Sequence, residues 1–153
     1  MNLRRFDAVQ DCPAVMQLWE TALGERYPIH PATLLQRLGG NQNYRHGDGV
    51  VATVGPTIVG FGLAELVRLP GSQVEPTGFI AALLVSPENR RQGIGKAILG
   101  ALEAHLRAEG CARVAAGRGP ARFWTGIPQD LTEATACFLQ AGYAEGGHVC
   151  DLV

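Results

Sequence analysis

The chain has 153 residues, a formal net charge of −1 and an apolar content of 46%, which suits one domain with a core of its own. A charged fraction of only 18% excludes a disordered chain, and thirteen Lys and Arg against fourteen Asp and Glu disfavour nucleic acid as a partner. No apolar run approaches ~20 residues and the first seven residues lack the apolar segment of a signal peptide, so we expect a cytoplasmic protein that stays out of the membrane.

The first forty residues predict one strand and two helices. Leu3 to Phe6 can form a short first strand. Asp11 is the expected N-cap of a helix that carries Pro13 in its first turn and ends at Gly24. A second helix is predicted over Pro31 to Leu38.

The middle of the chain changes to strand periodicity. Val50 to Val54 and Thr57 to Leu69 flank Gly55-Pro56, which is typical of a hairpin turn. The continuous apolar run Phe79 to Val85 predicts a strand that is buried on both faces, and Pro87 ends it.

The last part of the chain predicts two further helices and two strands. One helix begins near Gly95 and ends before Gly110, and Cys111 to Ala116 follows as a strand. Another helix closes at Gly142, and Tyr143 to Val153 is predicted to form a final strand. Since no repeat or linker interrupts this order, we predict a single α+β domain.

The cysteines do not form a recognisable metal or redox motif. They are far apart in the sequence and lack any C-x-x-C pairing, so we expect small buried thiols. His148 and Cys150 alternate along the last predicted strand, but two groups do not make a metal site, and no metal is expected. The four cysteines are Cys12, Cys111, Cys137 and Cys150.

The turn between the buried strand and the third helix carries the most chemical information. It reads Val85-Ser86-Pro87-Glu88-Asn89-Arg90-Arg91-Gln92-Gly93-Ile94-Gly95-Lys96. A glycine-rich turn at a helix start offers free backbone N–H groups to an anion, and Gly93 and Gly95 allow close approach. The cations around it are Arg90, Arg91 and Lys96. The alternative is a structural turn that merely begins a helix.

Spacing excludes two other phosphate-binding patterns. A Walker-type loop requires glycine at position 90 and Ser or Thr at position 97, where Arg90 and Ala97 stand. A dinucleotide fingerprint requires glycine at position 98, where Ile98 stands. A nucleotide-binding module, with a preference for ATP or NAD, remains as a distant alternative.

At these residues the chain resembles the GNAT superfamily of N-acetyltransferases. Arg90-Arg91-Gln92-Gly93-Ile94-Gly95 is similar to the signature that binds the pyrophosphate of acyl-CoA, and Leu83-Leu84-Val85-Ser86-Pro87 is similar to the strand before it. Gly110, Phe138 and the Ala141-Gly142-Tyr143 ending also stand where the family places them. The resemblance extends from the first strand to Tyr143.

The resemblance implies a mixed, mostly antiparallel central sheet, splayed between its fourth and fifth strands, with helices on both faces. It implies one GNAT-like domain over residues 1–153 that transfers an acetyl group directly from acetyl-CoA to a primary amine of a small molecule or peptide. The amide near Leu84 or Val85 would polarise the thioester carbonyl. The implied cofactor-binding residues are Leu83, Leu84, Val85, Arg90, Arg91, Gln92, Gly93, Ile94, Gly95, Lys96 and Phe138.

Two positions depart from the family pattern. Phe138 stands where the family has a tyrosine that protonates the departing thiolate, and Leu131 stands where it often has an asparagine. One proton-transfer role is therefore missing, although a thiolate leaves tolerably well without protonation. The departures motivate a second interpretation, a catalytically degenerate acyl-CoA-binding or regulatory domain.

Glu65 is the first candidate for the general base. On the strand from Phe61 it alternates with apolar residues, and burial among them would raise its pKa and suit it to accept a proton from the amine. The competing interpretation is an edge carboxylate that faces water. His30 is a second candidate, in the connection that borders the acceptor site in the family, whereas His105 is expected at the rim of the core.

The segment Gly117 to Pro128 is a long loop with two arginines and two aromatic residues. It either walls an acceptor pocket or pins itself to the core by an apolar cluster. The loop resembles that of a GNAT subset in which this domain precedes a related second one. Because only eleven residues follow Gly142, a homodimer or a missing second domain would cover the open sheet edge.

Overall fold

A computed structural model describes residues 1–39, 48–68, 71, 73–119 and 124–147. These residues form five strands and four helices, with short 3₁₀ turns at Gly24–Arg26 and Pro87–Asn89. The strands are β1 (Asn2–Arg5), β2 (Gly49–Val54), β3 (Thr57–Val67), β4 (Thr77–Val85) and β5 (Arg113–Ala116). The helices are α1 (Cys12–Leu23), α2 (Pro31–Gly39), α3 (Ile94–Ala108) and α4 (Thr132–Gln140).

The sheet keeps its strands in sequence order. The first four are antiparallel neighbours, and β5 pairs with β4 in parallel after the crossover through α3. One core lies between the sheet and α1 with α2, and a second lies on the α3 side, where Phe138 of α4 also packs. The predicted α+β class, with helices on both faces of a mostly antiparallel sheet, is therefore confirmed.

Glycines let α3 lie close against the sheet. A Cβ at Gly62 would stand 2.4 Å from Ile98 and 2.8 Å from Leu102, and one at Gly78 would stand 2.9 Å from Leu106. Since Ile98, Leu102 and Leu106 are at most 1% exposed, the space a side chain would need is already filled by the helix. The apolar stripe that the sequence predicts for this helix is the stripe that meets these glycines.

Asp11 occupies the predicted N-cap position but does not act as a cap. Its carboxylate accepts two hydrogen bonds from the Arg4 guanidinium, both at 2.7 Å, and one from the Asp7 amide at 2.8 Å. No side-chain hydrogen bond to the first turn of α1 is formed. The predicted cap is wrong because an arginine on β1 offers the carboxylate a stronger, charge-assisted partner.

The predicted final strand is also wrong over the residues that can be described. Tyr143 turns back so that its amide bonds the Phe138 carbonyl, and residues 143–147 form no strand. The rest of that prediction, with His148 and Cys150, lies outside the described residues, as does Leu69 at the end of the predicted third strand. Cys12 and Cys111 are buried thiols as expected, and Cys137 is half-buried.

Candidate functional site

β5 pairs with β4 only along the first part of that strand. They pair from Thr77 to Ile80, and the amide of Gly117 makes a last bond to the Ile80 carbonyl at 3.0 Å. Beyond Ile80 the β5 side of β4 has no strand partner among the described residues, whereas its other edge continues to pair with β3 through Val85. β5 thus ends opposite Ile80, and the edge of β4 from Ala81 to Val85 is open where the resemblance implies a splay.

A narrow groove of about 60 Å³, here called the strand gap, lies along this open edge of β4. Its floor is the stretch from Ile80 to Leu84, and its far wall comes from α4 and the loop before it. Phe138 and Leu131 both line the gap, so the two departures from the family pattern do lie in the predicted site. Neither side chain carries a proton to donate.

A bulge in β4 sits at the closed end of the strand gap. Ala82 pairs with Leu63 while Ile80 pairs with Ala64, so Ala81 is an extra residue opposite β3. The bulge reverses the alternation of side chains: Ala81 and Ala82 both face the α1 core. This places apolar side chains on both faces of β4, which explains why the sequence shows a continuous apolar run.

The glycine-rich turn lies at the open end of the same edge. The first helical bond of α3 runs from the Ala97 amide to the Gly93 carbonyl at 2.9 Å, so the amides of Ile94, Gly95 and Lys96 precede the helical ladder. Gly93 has φ +80° and Arg91 has φ +61°, a backbone region that aims successive amides to one side. This geometry, here called the anion concavity, is of the kind that binds anions.

The backbone conformation at Gly93 favours glycine, whereas the conformation at Gly95 does not. Its φ is helical, and a Cβ would stand 3.6 Å from Val85 and 3.8 Å from the Cys137 sulfur, which are ordinary contact distances. The folded chain therefore has room for a side chain there. Packing therefore does not require glycine at position 95, and the missing side chain leaves space beside the free amides.

Arg90 does not project toward the anion concavity. Its guanidinium donates to the carbonyls of Val85 at 3.3 Å and Ala22 at 3.1 Å, and it pairs with Glu133 at 3.1 Å. Those contacts join the end of β4 to α1 and α4. The predicted positive charge around the concavity is left to Arg91 and Lys96, which are exposed, and the side chain of Arg90 has a positioning role.

Glu65 is fully buried, with 0% of its surface exposed, so the interpretation as an edge carboxylate facing water is wrong. It pairs with Phe79, one residue before the point where β4 and β5 separate. A Cβ on Gly119 would collide with its Oε2 atom, so the carboxylate lies directly beneath the segment that follows β5. Glu65 thus stands beside the closed end of the strand gap but is not one of its lining residues.

A second cavity of about 330 Å³, here called the aromatic cavity, opens next to the strand gap. Trp124 lines both spaces and so forms a shared wall. The sequence leaves the loop open as a pocket wall or as an apolar cluster on the core, and Trp124 does both: it lines this cavity and packs against the α1 core. Arg122 and Phe123 lie outside the described residues. Further side chains around the aromatic cavity are Trp19, Arg26, Tyr27, His30 and Thr33.

His30 lines the aromatic cavity, but its hydrogen bonding argues against a role as base. Its Nδ1 accepts a hydrogen bond from the Ala32 amide at 3.2 Å, which places the proton of the neutral ring on Nε2. The ring nitrogen that remains available is therefore a donor. His105 lies away from both cavities, where its Nε2 meets the Asp48 carboxylate at 2.6 Å.

Tyr143 cannot replace the missing tyrosine at position 138. Its ring contacts Phe138 edge to face, 5.0 Å between centroids, but it does not line the strand gap. Burial, with Glu103 nearby, raises the pKa of the Tyr143 hydroxyl above its ordinary value of 10, which makes it a poor proton donor. In the described part of the chain this hydroxyl has no hydrogen-bond partner.

Comparison with known proteins agrees with this geometry. The model of the Acetyltransferase (GNAT) family matches residues 12–123. The chain belongs to the GNAT acetyltransferase family. No curated protein matches it in sequence.

Solved structures share the fold at low sequence identity. A GCN5-related glucosamine N-acetyltransferase region of a fungal multi-domain GH3 β-N-acetylglucosaminidase aligns with a TM-score of 0.83 and 23% identity, over 94% of this chain and 17% of that one. The ribosomal-protein-S18-alanine N-acetyltransferase of Escherichia coli aligns at 0.71 and 18%, over 95% and 79%. An aminoglycoside N-acetyltransferase, AAC(6′)-Iy, in complex with CoA aligns at 0.69 and 17%, over 99% and 93%.

Two features are absent from the part of the chain that the structure describes. No helix there is long and apolar enough to cross a bilayer. No group of three or more His, Cys, Asp or Glu side chains is arranged there to hold a metal ion.

Proposed function

We propose that this GNAT acetyltransferase binds acetyl-CoA in the strand gap and transfers the acetyl group to a primary amine held in the aromatic cavity. The open edge of β4, which ends at a turn of free amides, is the observation that carries the proposal. An extended pantetheine arm can add to that edge as an extra strand would. The diphosphate then falls at the amides from Arg91 to Lys96.

The residues of this chain fit that ligand in three respects. Leu83 to Val85 offer backbone groups that no described strand occupies on the β5 side. Gly95 leaves room beside the amides, and Phe138 gives the arm an apolar wall. A solved neighbour with the same fold holds CoA, which supports the assignment by analogy.

The transfer forms an N–C bond and breaks a C–S bond. The amide of Leu84 or Val85 polarises the thioester carbonyl and stabilises the oxyanion that develops on it. Glu65, which lines neither the strand gap nor the aromatic cavity, accepts the amine proton through an intervening group such as water. Because Phe138 donates no proton, the CoA sulfur leaves as the thiolate, whose ordinary pKa near ~8.5 permits this at neutral pH.

The protein's main contribution is alignment of the two substrates. Trp124 lines both the strand gap and the aromatic cavity, so a thioester held in one and an amine held in the other lie on neighbouring sides of this residue. Holding two reactants in one geometry supplies several kcal/mol of a bimolecular barrier, on the order of 7–11 at best. No nucleophilic cysteine is required for this route.

The proposal is tested by ligand binding and by thiol release. In a thermal-shift series, CoA and acetyl-CoA should raise the melting temperature while ATP and NAD should not. Saturation at ~100 times the Kd corresponds to about 2.7 kcal/mol of stabilisation. Acetyl-CoA and a panel of primary amines should then release free CoA thiol, and stabilisation by ATP or NAD alone would refute the assignment.

The second candidate function is a non-catalytic acyl-CoA-binding domain. Phe138 and Leu131 favour it, since both line the gap and neither moves a proton. A binding domain would show the CoA shift but no thiol release with any amine. The thiol-release assay therefore separates the two functions.

A further inference from the structure

The walls of the aromatic cavity are built from three rings in mutual contact. Trp19 and Trp124 are stacked, with centroids 5.9 Å apart and an angle of 3° between the planes. Tyr27 meets Trp124 edge to face at 5.2 Å. Trp19 is only 4% exposed and backs Trp124, so a ligand meets chiefly Trp124 and Tyr27. Aromatic rings of this kind bind the apolar face of a saturated ring or a cation.

Hydrogen bonds fix these rings in place. The Trp19 indole N–H donates to the Tyr27 carbonyl at 2.7 Å, and the Tyr27 hydroxyl donates to Asp130 at 2.6 Å. Arg26 forms an ion pair with the same carboxylate. The cavity is therefore formed before any ligand enters it, which lowers the entropic cost of binding.

The charges of the cavity select against polycations. None of its described lining residues is acidic, whereas Arg26 is one of them. The Arg26 charge is paired with Asp130, so among the described lining residues the ring faces are what is left to attract a cation. An acceptor with several ammonium groups would find no carboxylate lining the described walls.

The polar groups that remain are mainly hydrogen-bond donors for hydroxyl oxygens. Arg26 has N–H groups beyond those facing Asp130, His30 presents Nε2–H, and Thr33 contributes a hydroxyl. A volume of about 330 Å³ lies at the lower end of small-molecule sites. The occupant is thus small, hydroxylated and apolar on one face.

We propose that the acceptor is an amino sugar of one ring, which places its C–H face on the aromatic walls and its hydroxyls against Arg26, His30 and Thr33. This inference rests on the proposed function, because it takes the aromatic cavity as the acceptor side of the site. It goes beyond that function by excluding polyamines, multiply charged antibiotics and plain alkylamines as preferred substrates. Trp124 sets the specificity from its position between donor and acceptor.

The chain provides a direct probe of this cavity. It contains two tryptophans, and both line the aromatic cavity, so intrinsic fluorescence reports on its occupancy without any turnover. Glucosamine should produce a saturable change in tryptophan emission, and spermidine and butylamine at the same concentrations should not. A saturable change with spermidine or butylamine and none with glucosamine would overturn the proposal.

A matched pair of threonine variants tests the polar contacts. Thr33→Val removes a hydroxyl from the cavity, and Thr21→Val removes one from the exposed side of α1, where it bonds the Gln17 carbonyl. Thr33→Val should raise the KM for glucosamine at least fivefold and leave the KM for acetyl-CoA unchanged. Thr21→Val should change neither, and equal effects of the two substitutions would contradict the sugar site.

The two levels of the proposal fail in different ways. Turnover of spermidine or butylamine in preference to glucosamine overturns the amino-sugar assignment and leaves acetyl transfer intact. Saturable fluorescence with glucosamine, but no thiol release, supports the sugar site and refutes the transfer reaction.

Discussion

Gly95 and Gly100 are two glycines of one helix that differ in their surroundings. A Cβ at Gly95 meets ordinary contacts beside the anion concavity, and a Cβ at Gly100 meets nothing within 4 Å. Both positions therefore tolerate alanine within the folded chain. The two positions differ in that Gly95 lies beside the anion concavity, where a ligand would approach, and Gly100 does not.

We expect Gly95→Ala to fold normally and to lose affinity for acetyl-CoA by at least tenfold, because its methyl group stands where the diphosphate approaches. Gly100→Ala, the control, should bind as the parent does and gain about 0.5–1 kcal/mol in stability from helix propensity. Isothermal titration and urea unfolding measure the two effects. Unchanged affinity in Gly95→Ala would contradict the diphosphate assignment.

Glu65 gives a prediction about the chemical step. Glu65→Gln keeps the shape of a fully buried side chain but removes its capacity to accept a proton. We expect kcat to fall by about 10²-fold, and the rise of rate with pH on the acid side to disappear. The KM for acetyl-CoA should change little.

The control measurement for Glu65→Gln is its melting temperature. A variant with full kcat, an unaltered pH profile and a lower melting temperature would show that Glu65 serves only to support the segment around Gly119. That segment lies directly over the carboxylate, so a supporting role and a catalytic role give different results.

At the residue scale, the sequence is most informative about residues whose proposed role depends on the backbone and not on the direction of a side chain. Gly93 and Gly95 are recognisable because two glycines beside cations at a helix start favour anion binding over mere turn formation. The sequence also assigns the Arg90 side chain to the anion, whereas in the structure it contacts Ala22 and Glu133, 68 and 43 positions away. Contacts at that separation cannot be deduced from local spacing. Side-chain direction is a tertiary property, and local patterns do not contain it.

At the scale of elements, Arg90 joins three parts of the site frame. It binds the end of β4, the end of α1 and the first turn of α4. α4 forms the far wall of the strand gap and β4 its floor, so this side chain ties the two sides of the gap together. Lysine carries the charge but not the planar fork that serves several acceptors.

Arg90→Lys should weaken acetyl-CoA binding several-fold and lower the melting temperature by about 2–4 °C, the effect of roughly 1 kcal/mol in a domain of this size. Arg68→Lys is the control, since Arg68 is exposed and donates to the Glu109 carbonyl far from the gap. Calorimetry with and without CoA measures both quantities. Loss of stability without loss of affinity would restrict Arg90 to a folding role.

Periodicity predicts the core elements because each buries one face or both. The β4 run is correctly predicted to be buried on two sides, because helices cover both faces of the sheet. The bulge at Ala81 leaves no signal in the sequence. The final strand is predicted from residue types, and Tyr143 instead folds back to Phe138. A tyrosine that can pack on an aromatic neighbour competes with its own strand propensity.

At the scale of the whole molecule, acid stability depends on the link between Arg4 and Asp11. The hydrogen bonds from Arg4 hold the pKa of Asp11 below its ordinary value of 3.8. A carboxyl group whose pKa is lowered by folding adds stability that is present above the ordinary value and is lost as pH falls through the lowered one.

We expect the free energy of unfolding to decrease as pH falls below about 4. Asp11→Asn should flatten that dependence while costing about 1 kcal/mol at neutral pH, since Arg4 is partly exposed. Glu75→Gln, on an exposed loop, is the control. Urea unfolding between pH values of about 2.5 and 7 measures the dependence. An unchanged slope in Asp11→Asn would assign acid sensitivity to other groups.

The aromatic cavity shows where prediction from sequence ends. The sequence predicts Trp19 as part of a helical core stripe, which is correct, since the residue is 4% exposed in the α1 core. Its stacking on Trp124 is not predicted, because Trp124 lies far along the chain, in a loop whose path no periodicity describes. A homodimer likewise remains a prediction, which analytical ultracentrifugation of the chain would test.

The length of β4 that β5 leaves unpaired limits how far a bound donor can extend along the sheet edge. From Ile80, where pairing stops, to Val85 there are about five peptide steps, or about 17 Å at ~3.3 Å each, with the free amides just beyond. In the proposed complex the thioester lies near the amide of Leu84 or Val85, so the acyl group must fit along the edge between that point and Ile80. The pairing of Thr77 to Ile80 with β5 closes this space, and an acyl chain too long for it should make a poor donor.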